Sequence, residues 1–439
     1  MNKLTLFSQR ALAAVDKRID VIDKIAAILL AFCPLLQHYT GLVYNAGLTV
    51  MVLLAPYFLL RLYMNRKNVR LSALWLVAVL VVYMVYRIVD HGTSLTELGQ
   101  SGVLIVLFIT AALGCIDVKT FCKAAALVAI LASLAMAVQY VCYYLFDFHL
   151  QMVPTEQLIS SAKQWAQGAK DGLTSINGIK GKLYRPSAFF LEPSHFFFYA
   201  FPHLFLLLFS GKSKWHLVYA AIISLGMVLS TSGMGIGTTG LAWILFFALW
   251  DAKTNSFSIK NILRVQNLVL LAILAAALFF AYENVPTVQK AISRIFIKTG
   301  KQTAISGRTA EAIKALKKMT NLQWVIGVKD TTHGYAHNMP GLIAAIYRHG
   351  LIGGILSMEF YAKSVYKLKL PYALVAVMIL VVSMFSAHTH STVGFMYMTL
   401  ILMRGYRYAP ISPEPCLFPY PHRKKLKTNK SDYPLEVQE

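Results

Sequence analysis

The chain has 439 residues, of which 57% are hydrophobic and only 14% are charged, whereas soluble domains usually carry about a quarter charged residues. This composition excludes a soluble globular enzyme, a disordered protein and a secreted disulfide-rich domain, and it predicts an all-α polytopic membrane protein. Lysine and arginine number 42 against 19 acidic residues, a net charge of +23. In a soluble chain that excess would suggest nucleic acid, but in a membrane protein its meaning depends on the side that carries it.

Apolar segments that approach the roughly 20 residues needed to cross a bilayer recur along the chain. Because backbone groups in hydrocarbon must be hydrogen-bonded internally, we expect each segment to be a helix, about twelve in total. The segments are residues 25–40, 42–60, 71–89, 98–116, 121–146, 187–209, 215–232, 234–250, 262–282, 338–361, 371–387 and 391–408. They form one predicted membrane domain, residues 1–408, followed by a basic tail over 409–439.

The charges between the segments predict the topology. With the N-terminus inside, the short inside loops are basic, beginning with Arg61 and Arg66, whereas the short outside connections lack lysine and arginine. This pattern follows the positive-inside rule, so both termini are predicted to be cytoplasmic. A tight turn is expected at Thr40–Gly41, and the glycine-rich stretch Ser232–Gly240 is a candidate broken helix.

The same topology leaves two long outer loops, at about 149–186 and 284–337, and both are basic. Loops of this length are usually functional. In the second, residues 309–319 have apolar side chains near helical spacing, which predicts a basic amphipathic helix on the outer surface. The apolar side consists of Ala312, Ile313, Leu316 and Met319, and the basic side of Lys314, Lys317 and Lys318. Attraction to anionic lipid headgroups and binding of an anionic substrate are both consistent with this charge.

The first polar motif, residues 185–195, lies where the first long loop enters a helix. Pro193 suits a first helical turn, and Glu192 lies near a positive helix end, which favours its ionised form. With Arg185, the motif fixes a carboxylate and a guanidinium at the outer membrane boundary. A structural ion pair at the helix end is the alternative interpretation.

Two further motifs follow in the second long loop. Arg308 precedes the basic helix, and its planar guanidinium can bind two phosphate oxygens. His337 lies at the outer mouth of the next helix, and histidine is the usual proton acceptor near neutral pH. His333 lies four residues before it, but no acidic or cysteine cluster accompanies the pair, so no metal is expected.

Arg348 comes ten residues after Asn338, which is about 15 Å along a helix. That spacing predicts a mid-membrane position, where a charge faces a cavity or a partner. A buried pair with Glu359 or Asp90 is the structural alternative.

Four of these segments, in this order, resemble the landmarks of the O-antigen polymerase and ligase superfamily. They are RPSAFFLEPSHF, LSTSGMGIGTTG, SGRTAEAIKALKKMTNLQWVIGV and HGYAHNMPGLIAAIYRHGLIGG. The resemblance spans about 185–405, and the first five helices are similar only in hydropathy and topology. The serine-rich stretch lacks the Ser-Arg pair common in the family, so it is given no catalytic role. The Glu-Pro-Ser element is more similar to the repeat-unit polymerases than to the ligases.

The resemblance implies a membrane glycosyltransferase with a GT-C-type fold, acting at the outer face of the bacterial inner membrane. Such an enzyme transfers glycan from undecaprenyl diphosphate to the next lipid-linked repeat unit, without metal or nucleotide sugar. The product class is O-antigen, capsule or exopolysaccharide. The implied partners are the lipid bilayer, the undecaprenyl-diphosphate-linked oligosaccharide, a chain-length regulator and a flippase, with no nucleic acid.

The chemistry assigns roles to the predicted site residues. A leaving diphosphate needs cationic stabilisation, which arginine must supply where no metal is present. The acceptor hydroxyl needs a base or an orienting acceptor. His337 is the predicted base, with Glu192 as its rival, and His195 and Asn338 are secondary. The predicted diphosphate ligands are Arg185, Arg308 and Arg348, and no cofactor is expected.

Three other functions remain open at this point. An O-antigen ligase would use the same chemistry but transfer glycan to lipid A core. A flippase or transporter for lipid-linked oligosaccharide would line a central path with its charges, whereas most outer charge here lies in loops. A structural or sensory membrane protein explains neither the mid-helix arginine nor the basic loops.

Overall fold

A computed structural model describes 21–42, 45–64, 116–160, 184–210, 214–251, 304–328, 368–384 and 392–404, together with short stretches within 102–107, 256–289 and 339–355. These residues are mostly helical. The predicted segment 71–89 and the basic tail 409–439 lie outside the described residues.

Eight of the twelve predicted apolar segments coincide with a described helix. The helices are α1 (21–36), α2 (Ala46–Met64), α3 (Val118–Phe146), α4 (Pro193–Ser210), α5 (Lys214–Leu229), α6 (Gly233–Leu249), α7 (Ala304–Lys317), α8 (Asn321–Ile326), α9 (Leu370–Ser383) and α10 (Thr392–Met403). Between α6 and α7, β1 (Trp250–Asp251) pairs antiparallel with β2 (Ser256–Phe257). Helices α7 and α8 belong to the second long loop.

Two described helices are long and apolar enough to cross a membrane, Ala46–Tyr63 within α2 and Val118–Phe146 as α3. Four shorter apolar helices accompany them: Trp215–Leu229, Gly233–Leu249, Leu370–Ser383 and Val393–Met403. Length and composition therefore favour the predicted membrane class.

Helix α4 lies at the centre of the bundle and packs against α3, α5, α6 and α9. Its sequence is apolar on every side, which suits a helix surrounded by other helices or by lipid. Nearly all its side chains are buried, including the polar residues His195 and His203. It begins at Pro193, as predicted from the fixed backbone angle of proline.

Small residues bring α3 and α5 close together. At Gly226 an added Cβ would lie 2.5 Å from Ser133 Oγ and 2.8 Å from Ser133 Cα. Such contacts are typical of helices in membranes, where close backbone approach replaces the hydrophobic driving force. The Ser133 hydroxyl donates to the Ala129 carbonyl at 2.8 Å, so the polar atom is satisfied within its own helix.

The connection between α1 and α2 joins the described part of the first long loop at one end of the bundle. The Thr40 amide donates to the Gln157 carbonyl at 2.7 Å, and the Ile159 amide to the His38 carbonyl at 3.0 Å. Gly41 turns the chain here, since a Cβ would lie only 2.5 Å from the Asn45 backbone. We call this the α4 N-terminal end, because α4 also begins there.

The opposite end holds a buried ion pair. Arg61, expected in an inside loop, instead lies in the last turn of α2, and its Nη2 is 3.0 Å from Asp23 Oδ2. The Tyr57 hydroxyl also donates to Asp23. Because the charge of Arg61 is paired, it is tolerated in this buried position within α2.

The expected break within Ser232–Gly240 is wrong, since α6 runs continuously from Gly233 to Leu249. The chain instead turns at Thr231, immediately before the stretch in which the break was expected, with a left-handed φ of 51°. A glycine inside a helix costs only about 1 kcal/mol, and packing against α4 offsets that loss.

Candidate functional site

The segment before α4 is held by hydrogen bonds from α3 and from the connection between α1 and α2. Gln139 of α3 accepts from the Ala188 amide at 2.8 Å and donates to the Leu150 carbonyl at 2.9 Å. The Tyr39 hydroxyl donates to the Phe189 carbonyl at 3.3 Å. Buried Ala188 has a left-handed φ of 51°. A non-glycine residue in that region is strained, and such strain clusters at functional sites.

Glu192 lies immediately before α4 and is half-buried. Its carbonyl accepts from the amides of His195 at 3.0 Å and Phe196 at 3.2 Å. Its carboxylate accepts from the Ser194 hydroxyl. The carboxylate is therefore held at the N-terminal end of the central helix.

His195, in the first turn of α4, stacks on His38, which sequence reasoning missed. The two ring centroids are 4.3 Å apart and the ring planes differ by 11°. His38 follows α1, and the long sequence separation gave no signal of the pairing.

A second aromatic group, the Tyr184 cluster, consists of Tyr143, Tyr144, His149 and Tyr184. Tyr143 and Tyr184 stack with centroids 4.1 Å apart, and the rings of His149 and Tyr144 meet Tyr184 edge-on at 5.6 Å and 6.4 Å. Tyr184 is buried, and burial raises its pKa to about 12. Sequence reasoning missed this cluster too, although the tyrosines at the end of α3 were visible in the sequence.

Three predicted site residues belong to this end of the bundle. Arg185 is exposed on the segment leading to α4, Glu192 is half-buried at its start, and His195 is buried in its first turn. The carboxylate of Glu192 bonds to Ser194, and a structural ion pair at the helix end stays a prediction.

Arg308 lies within a helix and not in the loop that was expected, because α7 begins at Ala304. Its side chain is outside the described part of the structure. The buried face of α7 agrees with the predicted apolar side at Ala312, Leu316 and Met319 but not at Ile313. Ala312 and Met319 are buried against Met339, Ala344 and Tyr347, whereas 46% of Ile313 is exposed. The apolar face of the basic helix thus packs on protein.

Helix α8 fixes the second loop to the segment at 339–355. Thr320 and Gln323 form a capping box at its start. The Val328 amide donates to the Tyr347 carbonyl at 2.8 Å. Gly350 has a φ of +66°, and an added Cβ would clash with the backbone of Val325. Only glycine fits this contact, which holds the two segments together.

His337, Asn338 and Arg348 lie outside the described residues, so their predicted roles remain predictions. Their neighbours Met339 and Tyr347 pack against α7 and its following turn. Within the described ranges, no three histidine, cysteine, aspartate or glutamate residues are grouped as metal ligands would be.

No protein-family model matches the chain, and no curated protein matches it.

Proposed function

We propose that the chain is a membrane glycosyltransferase that polymerises undecaprenyl-diphosphate-linked oligosaccharide repeat units. The four ordered motifs and their resemblance to the O-antigen polymerase and ligase superfamily support this activity. The structural observation that carries it is the fixed carboxylate of Glu192 at the start of the buried helix α4, on a strained segment that also bears the exposed Arg185. A base and a cation at one bundle end suit transfer from a lipid diphosphate.

In the proposed reaction, the acceptor hydroxyl oxygen attacks the anomeric carbon of the donor glycan. The bond from that carbon to the diphosphate oxygen breaks, and undecaprenyl diphosphate leaves with both electrons. The hydroxyl proton passes to His337 or to Glu192. Arg185, Arg308 and Arg348 stabilise the charge on the leaving diphosphate, a role that fixed cations perform without a metal.

The packing of α7 and α8 on the 339–355 segment supports one shared site for the later motifs. Val328 bonds to Tyr347, and Met319 is buried with Met339. These contacts attach α7 and α8, the unit that bears Arg308, to the 339–355 segment, which also bears Arg348. Two motifs far apart in sequence are thus attached to one structural unit.

The proposed setting is the bacterial inner membrane, with about twelve transmembrane helices in a GT-C-type fold and the α4 N-terminal end facing outwards. The charge distribution supports this orientation. Lys119 and Lys123 in the first turns of α3, and Arg404 after α10, lie at the opposite end, as expected for a cytoplasmic face.

The test uses point variants in cells that lack the native protein. Glu192→Gln keeps an acceptor for Ser194 but removes the charge, and we expect a loss of polymer by about 10²-fold or more. Ser194→Ala is the matched control, because it removes the hydrogen bond and leaves the carboxylate. Arg185→Ala is expected to give single-repeat glycans from a normally inserted protein. Normal chain-length ladders from both Glu192→Gln and Arg185→Ala would refute the proposal.

A further inference from the structure

The outer end of α3 presents two kinds of surface side by side. Leu145, Phe146 and Phe148 are purely apolar, with exposed fractions of 74%, 72% and 56%. They suit acyl chains at the membrane boundary. The adjoining Tyr184 cluster is different, since each of its four rings carries a polar atom. A surface that combines ring faces with hydrogen-bonding groups suits a ligand that is both ring-shaped and polar.

The cluster has one buried ring, with exposed rings around it. Tyr184 is the buried ring and is stacked on Tyr143 at 4.1 Å. Tyr144, with 47% of its surface exposed, and the exposed His149 stand edge-on around it. Three ring contacts to Tyr184 hold these side chains in place, so a ligand would meet a preformed surface and lose little entropy in ordering it.

The position of the cluster beside Arg185 indicates which ligand it binds. Tyr184 directly precedes Arg185, so their Cα atoms are about 3.8 Å apart. If Arg185 binds the diphosphate, as in the proposed function, the sugar attached to that diphosphate is brought to the same end of the bundle as the cluster. The apolar C–H face of a pyranose ring stacks on the electron-rich face of an aromatic ring, while its hydroxyls reach phenol and imidazole.

We propose that the Tyr184 cluster is a saccharide subsite, which binds the pyranose rings nearest the diphosphate of the lipid-linked glycan. This inference rests on the proposed function, because the diphosphate at Arg185 sets the place of the sugar. The neighbouring apolar residues contact lipid, and the cluster itself contacts sugar. The subsite would position the anomeric carbon. It would also make the protein bind the sugar-bearing carrier more tightly than the sugar-free carrier.

The test measures binding to the full chain in phospholipid nanodiscs with two probes. One is undecaprenyl diphosphate, and the other is undecaprenyl diphosphate carrying N-acetylglucosamine. We expect Tyr144→Ala and His149→Ala to raise the dissociation constant of the sugar-bearing probe about tenfold and to leave that of the sugar-free probe unchanged. Phe148→Ala is the matched control, an exposed aromatic next to the cluster that should not change the preference for sugar.

The outcomes separate the two proposals. Wild-type protein that binds neither probe would refute the proposed function. Wild-type protein that binds both probes equally, or variants that keep the wild-type preference, would refute the subsite alone. An equal loss for both probes would assign the cluster to lipid contact and also refute it. Thermal unfolding of each variant, with Tyr184→Phe as a ring-preserving change, checks that a loss of binding is not a loss of fold.

Discussion

The imidazole rings of His38 and His195 lie face to face, with centroids 4.3 Å apart. One ring comes from the connection after α1 and the other from the first turn of α4. The stack therefore joins the start of the central helix to the turn that covers it, next to Glu192. The stability of this stack therefore determines how firmly the Glu192 carboxylate is held.

A substitution of His38 that keeps a flat aromatic ring should keep the stack on His195. We expect His38→Phe to unfold within a few degrees of wild type, and to retain polymer formation, because the stack survives. His38→Ala removes a ring contact worth about 0.5–1.5 kcal/mol and should lower both the melting temperature and activity. The measurement is thermal unfolding in detergent together with glycan chain length. An alanine variant as stable as the phenylalanine variant would contradict the role of the stack.

Gly350 is the point where the α7–α8 unit is attached. Gly350→Ala should release this unit, because φ is +66° and Val325 occupies the space of the new Cβ. Hydrogen exchange of the amides in 304–328 should speed up about tenfold or more. Gly237→Ala is the control, since its Cβ would have nothing within 4 Å. Unchanged exchange in Gly350→Ala would show that the contact does not hold the unit.

The Asp23–Arg61 pair at the opposite end should behave as a buried ion pair. Asp23→Leu alone leaves a buried guanidinium and should reduce the free energy of unfolding by about 3–5 kcal/mol. Adding Arg61→Met should recover much of that loss, because a matched apolar pair avoids the desolvation cost. The free energies come from reversible unfolding of the single and double variants. Strict additivity of the two single variants would mean that the residues do not interact.

The Tyr184 phenol should titrate late. Burial raises its pKa to about 12, against about 10 for an exposed tyrosine. Its contribution to stability is complete below pH 10 and is lost as the pH rises towards 12, because the unfolded chain releases that proton first. The phenolate absorbance of wild type minus Tyr184→Phe should show a midpoint near 12. A midpoint near 10 would mean that the ring is exposed in solution.

The sequence was sufficient for local structure. Proline geometry predicted the start of α4 at Pro193, and apolar length located α2 and α3 to within a few residues. The glycine-rich stretch led to the wrong prediction of a broken helix, because the low helix propensity of glycine does not include the packing of α6 on α4. Likewise the apolar spacing in α7 predicted the packing of Ala312, Leu316 and Met319 but wrongly included Ile313, which lies away from the partner surface.

The candidate site was predictable only in part. Glu192 and His195 stood out because they share one motif with Arg185. His38 and Tyr184 gave no comparable signal, since their roles arise from contacts with α4 and α3 that chain folding creates. The buried position of Arg61 was hidden for the same reason, as its partner Asp23 lies on another helix.

Transfer of glycan from a lipid diphosphate can be measured directly with the purified chain. The purified chain in lipid is given a defined undecaprenyl-diphosphate-linked repeat unit with EDTA present, and the lipid-linked products are separated by size. We expect products of two and more repeats in wild type, and about 10²-fold less of them in Glu192→Gln. A failure of wild type to extend the repeat, or extension only when a divalent cation is restored, would contradict the proposed function.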